Sequence, residues 1–171
     1  MLRAHSRWWI LIAAATIGCS KPAAARKPDD VASPELAVRL AQDMAAAGSR
    51  LDVATLNTFI PQTDRIVYVS DTNPISGNAY RKTLGDFYAT LSKLDYKWTK
   101  WETYPISENA VGFTGWADIT TVTLKGVTEH DRAIVSMVFA RDSTGAWKRI
   151  IAHKSTILPP APPPPPATRA R

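Results

Sequence analysis

Apolar residues recur along this chain with two different periods, and the change falls near residue 95. Before it the spacing is helical. Leu36, Leu40 and Met44 stand at i, i+4 and i+8, with Val38 and Ala41 beside them, the stripe that one face of an α-helix presents. Ser33-Pro34 opens this helix with a capping hydroxyl and then a proline at the first helical position, where no N–H is needed. Gly48 is its stop. A shorter helix is predicted over Asp52 to Phe59, with Leu56 and Phe59 inward and Pro61 ending it. Arg65 to Val69 (RIVYV) is β-rich and reads as a short strand, and Asp71 to Gly77 (DTNPISG) reads as turn throughout. A third helix is predicted from about Asn78 to Leu94, because Leu84, Phe87, Tyr88 and Leu91 fall at i, i+3, i+4 and i+7. Gly85 is its weak spot.

From Asp95 onward the period is two. Tyr96, Trp98 and Lys100 alternate with Lys97, Thr99 and Trp101. Ala110 to Leu124, Arg132 to Arg141 and Trp147 to Ile157 follow as strands. Asp142-Ser143-Thr144-Gly145 is a hairpin loop with glycine where a positive φ is needed. Helices followed by consecutive strands predict an α+β fold, with an antiparallel sheet wrapped over helices.

The two ends of the chain read differently. Arg3 and Arg7 precede an uncharged apolar run of 11 residues, Trp8 to Gly18. That is too short to cross a hydrocarbon core, which takes about 20 helical residues, and a basic front with a short apolar stretch reads as a secretion signal. Residues 1–18 are therefore expected to be removed on export to the periplasm or cell envelope. Cys19 follows at once and is the only cysteine of the chain, so it forms no internal disulfide. The segment Thr16-Ile17-Gly18-Cys19-Ser20 resembles the lipobox of bacterial lipoproteins, which implies acylation of Cys19 and a membrane as partner. Residues 19–33 read as a tether, 34–158 as the single folded domain, and 159–171 (PPAPPPPPATRAR) as a proline-rich tail that lacks the N–H groups to join a core. The chain's net charge of +6 falls to +4 once Arg3 and Arg7 leave. The remaining basic residues form no stripe of the kind that nucleic acid requires, so no nucleic-acid partner is expected.

Little chemistry stands out. His130 and His153 are far apart in sequence and no cysteine pair exists, so no metal site is expected. Phosphate-binding glycine loops and a nucleophile elbow are absent too, and no cofactor is expected.

The closing hairpin, RAIVSMVFARDSTGAWKRIIAHKST, carries a resemblance. Arg132, the apolar strand, Asp142, Gly145, Trp147, His153 and Ser155 resemble the closing signature of SnoaL-like and DUF4440-type domains of the nuclear transport factor 2-like superfamily. Gly77 ahead of a helix resembles that family's third-helix entry. Arg149 stands where the family pattern has an apolar residue. The resemblance covers about Pro34 to Leu158. It implies a cone, with three N-terminal helices on a strongly curved antiparallel sheet, an open mouth, and dimerisation through the sheet's outer face. Function would then lie in the cone. Strict alternation puts Trp147, Arg149, Ile151, His153 and Ser155 on one face; if that face points inward, His153 and Ser155 lie on the cavity wall.

Three readings follow. The first is a non-catalytic envelope lipoprotein whose cone binds a small apolar molecule or partner, with Trp98, Trp116, Arg132, Trp147 and Ser155 lining the pocket. The second is a proton-transfer enzyme resembling steroid isomerases and polyketide cyclases, with Asp118 as a desolvated general base and His153 as its companion. The third is a homodimeric interaction module. The first is preferred, because no complete catalytic set is visible.

Overall fold

A computed structural model describes residues 31–158. The leader, Cys19, most of the tether and the proline tail lie outside the described residues. Helix α1 spans Pro34–Ser49, and its cap forms as the sequence implies: the Ser33 hydroxyl accepts the Leu36 N–H at 3.1 Å. Its buried stripe is Leu36, Ala37, Leu40, Ala41, Met44, Ala47 and Gly48. Helix α2, Val53–Phe59, is capped by Asp52, whose carboxylate accepts the Thr55 N–H at 3.0 Å, and it turns Leu56 inward.

Helix α3 runs Gly77–Tyr88, shorter than the predicted Asn78–Leu94. Leu91 and Leu94 do share a buried face at helical spacing, but they belong to a strand. The register of that strand shifts between Leu91 and Lys93. An extra residue in a strand moves the next inward side chain from i+2 to i+3, which imitates a helix in the sequence.

Six strands form one sheet: β1 Ile66–Ser70, β2 Asn73–Ser76, β3 Leu91–Ser107, β4 Ala110–Thr123, β5 Thr128–Arg141 and β6 Trp147–Thr156. Their order is β2-β1-β6-β5-β4-β3. Every neighbouring pair is antiparallel except β1 with β6, which is parallel. The last four strands make the expected meander. Strand β2 is an addition, because the segment read wholly as turn folds back along β1. The reversal depends on Asp71, which adopts φ 53°, a left-handed conformation that aspartate tolerates better than most residues. Its carboxylate accepts the Thr156 N–H at 2.9 Å and so ties the turn to the end of β6.

Four register shifts break the long β3–β4 and β5–β6 ladders, three along β3 and one where β5 passes from Val138 to Phe139 opposite Ile150. Such bulges bend a strand and increase its twist, so the sheet curls around α1 without closing into a barrel. Phe113, Phe139 and Val111 are the largest fully buried side chains and pack against the α1 stripe. Helix α2 packs against α1, and α3 against α2, β1 and β2, and the space left between the helices and the inner face of the sheet is a cavity.

Candidate functional site

That cavity measures about 360 Å³, within the range of small-molecule sites. Its wall is mostly apolar. Met44, Ala45, Leu56 and Ile60 come from the α1–α2 side, Leu84 and Phe87 from α3, and Leu94, Ile119, Val135 and Met137 from the sheet. Trp98 stands on β3, its indole N–H donating to the Ala41 carbonyl at 3.1 Å and its ring meeting Phe113 edge-on at 4.9 Å. Four tyrosines, Tyr68, Tyr80, Tyr88 and Tyr96, complete the aromatic part of the wall.

Burial holds the Tyr68, Tyr88 and Tyr96 hydroxyls well above the ordinary tyrosine value of 10; the neighbouring Tyr80 adds to this for each of them. Within the fold these groups stay protonated and offer hydrogen-bond donors, not bases. The sign of the pH effect follows. Above pH 10 the unfolded chain releases tyrosine protons that the folded chain keeps, so stability is fully present below about pH 10 and falls as pH rises beyond it. In an alkaline titration of the domain, tyrosinate absorbance from these three rings is expected to appear together with the loss of near-ultraviolet circular dichroism. Reversible ionisation of all the tyrosines in an intact fold would contradict the burial of these three rings.

Arg149 is the exceptional member of the wall. It comes from β6, is only 5% exposed and lines the cavity. The ring of Tyr80 lies 4.8 Å from its guanidinium carbon and that of Tyr68 lies 5.4 Å away, and the two rings stack on each other at 4.4 Å. Its Nε and Nη2 are buried with no hydrogen-bond partner, and no carboxylate among the described residues is ion-paired with it. Removing a charge from water costs several kcal/mol even after relaxation, whereas a desolvated cation–π contact returns about 2 kcal/mol. The two rings therefore offset part of the cost and leave the Nε and Nη2 N–H groups unsatisfied.

No protein-family model matches the chain, and no curated protein does either. Solved structures do. A nuclear transport factor 2-like superfamily protein from Salmonella enterica serovar Typhimurium superposes with a TM-score of 0.65 at 14% identity, over 74% of this chain and 92% of that one. The fold is nuclear transport factor 2-like. A ketosteroid isomerase-like protein from Erwinia carotovora atroseptica matches with a TM-score of 0.59 at 19% identity, over 75% of this chain and 100% of the other. A hexachlorocyclohexane dehydrochlorinase from Novosphingobium barchaimii matches with a TM-score of 0.56 at 14% identity, over 72% and 89%. At these identities the likeness concerns the fold alone.

Within this nuclear transport factor 2-like cone, the residues singled out from the sequence part company. Trp98 lines the cavity. Trp147 packs against the core beyond the cavity, with the Arg141 guanidinium over its ring at 5.2 Å. Trp116 stands on the outer face beneath Lys100, whose ammonium lies 4.5 Å from the ring centroid. Asp118 is exposed on that same face and pairs with Arg132 at 3.5 Å. Its strand neighbours Ala117 and Ile119 are the ones turned inward.

His153 is exposed too, with Nε2 3.4 Å from the Asp71 carbonyl oxygen, and Ser155 pairs across the ladder with Ile134. The expectation that Trp147, Arg149, Ile151, His153 and Ser155 share one face does not hold. Ile150 has no partner on β5, so the alternation reverses there. Arg149 and Ala152 point inward and Ile151 and His153 outward. Lys154, not Ser155, reaches the cavity. The sequence reading also missed the four tyrosines and Arg149 as wall residues. The available signal for Arg149 was its place amid an apolar strand in a position the family pattern keeps apolar. No cluster of histidine, cysteine or carboxylate side chains fit to hold a metal occurs among the described residues.

Proposed function

We propose that the domain is a binding module of the SnoaL-like kind, whose cone holds one small apolar molecule and does no chemistry on it. The observation that carries this reading is the 360 Å³ cavity walled by Leu, Ile, Met, Val and aromatic side chains. Proton transfer would need a desolvated base in contact with the ligand. The carboxylate nominated for that role, Asp118, is exposed and ion-paired on the opposite face of the sheet. Asp131 is the one carboxylate of the described wall, and it is solvent-exposed. The Tyr68, Tyr88 and Tyr96 hydroxyls are held protonated and so orient a ligand rather than deprotonate it.

We place this module outside the cytoplasm on the strength of Arg3, Arg7, the Trp8 to Gly18 run and Cys19; cell fractionation tests that placement. The binding itself is tested with decanol, a neutral apolar probe, by titration calorimetry. The chain is expected to bind it with one-site stoichiometry. Thr83→Phe, which fills the cavity from an exposed position of α3, is expected to weaken binding on the order of tenfold or more with little change in melting temperature. Undiminished binding by the filled variant would move the site elsewhere.

A further inference from the structure

We propose that the molecule seated in the cone is a monocarboxylate, an apolar body whose single carboxylate docks on the guanidinium of Arg149. The proposal rests on the cone being a ligand site and specifies what that site takes. Arg149 lines the cavity at 5% exposure, with Nε and Nη2 unpartnered. An arginine side chain keeps its charge when buried, and no carboxylate among the described residues is ion-paired with it. The faces of Tyr68 and Tyr80 attract the cation but offer no oxygen for its N–H groups. A planar carboxylate offers two acceptor oxygens at the spacing of that fork, which a lone hydroxyl or carbonyl does not.

Three further features agree. Asp131 and Lys154 add charges of opposite sign to the wall, so Arg149 is its one excess charge, which suits a monoanion. The hydroxyls of Tyr68, Tyr88 and Tyr96 on the wall are donors toward an acceptor group. The rest of the wall, Met44, Leu56, Leu84 and Ile119 among it, suits an apolar body. Arg149 is inward together with Ala152 because of the bulge at Ile150, which interrupts the alternation of β6.

The test compares decanoate with decanol, two probes of equal chain length, by titration calorimetry on the full chain. Decanoate is expected to bind on the order of 30-fold more tightly, the ratio that a hydrogen-bonded charge pair confers. Arg149→Met keeps the length and apolar packing of the stem. It is expected to lower decanoate affinity by on the order of 30-fold while changing decanol affinity by less than about 3-fold. Arg149→Lys retains the charge without the fork and is expected to fall between the two.

Equal affinity of the wild-type chain for the two probes overturns the carboxylate assignment and leaves the cone as a neutral apolar site. Decanoate binding that survives Arg149→Met in a variant of native circular dichroism also overturns it. Failure of both probes to bind the folded wild-type chain overturns the cone reading and this one with it. The wild-type comparison decides the matter even if a variant misfolds.

Discussion

Phe139→Ala is expected to lower stability by about 3–5 kcal/mol, the range seen for fully buried aromatic truncations. Phe139 has no exposed surface. It stands on β5 opposite Val111 of β4 on one side and Arg149 of β6 on the other. Its ring thus fills the apolar core against the α1 stripe. Truncation removes apolar surface and leaves a void that a curved sheet clamped on α1 cannot close. For a domain whose whole stability is about 5–15 kcal/mol, that is a large fraction. Urea unfolding measures it as a lower midpoint at an unchanged slope. Phe139→Leu, which retains most of the volume, is expected to cost well under half as much. A loss below about 1 kcal/mol for the alanine variant would show that the core is not packed around this ring.

Gly77→Ala is expected to cost about 3 kcal/mol, at the upper end of what overpacking produces. A methyl group there would lie 2.3 Å from the Pro61 carbonyl oxygen and 3.0 Å from that of Thr63. These are backbone atoms, so no rotamer change relieves the contact. The Gly77 and Asn78 N–H groups also bond to the Arg65 and Thr63 carbonyls, at 3.0 and 2.9 Å, and the loop cannot back away without losing them. The damage is expected to reach the site, because the helix that starts at Gly77 brings Tyr80, Leu84, Phe87 and Tyr88 to the cavity. Thermal melting and decanol titration of the same variant should both fall. A variant with an unchanged melting temperature would mean that α3 does not approach the 61–65 loop closely enough to exclude a methyl group.

The sequence was informative wherever local chemistry and side-chain period agreed. Ser33-Pro34, the Leu36, Leu40, Met44 stripe and the Asp142–Gly145 loop all form as their residues imply. The closing hairpin resembles a superfamily whose fold the chain adopts. What was not legible traces to bulges. A period-two rule assumes that a strand never slips, yet β3 slips beside Leu91 and Trp98, and β6 slips at Ile150. The first slip made the start of a strand look like the end of a helix. The last one exchanged the two faces of β6 for every residue after it, so His153 and Ser155 were aimed into a cavity that receives Lys154. Asp118 failed for another reason. Nothing in a run of β-branched and small residues says which face is the wet one, and its alternation with Ala117 and Ile119 fits either. Arg149 was visible as a departure from a pattern. Its role was not, because a lone arginine in a strand usually faces solvent.

Strand β3 closes one border of the sheet, and at 17 residues it would be a long template for a second chain to pair with. Several of its features make it a poor one. Lys93, Lys97 and Lys100 project charge from it, Pro105 lacks a donor, and its three register shifts deny a flat run of free N–H and C=O groups to an incoming strand. The same irregularities that bend the sheet around its cavity therefore also protect the protein from edge-to-edge aggregation.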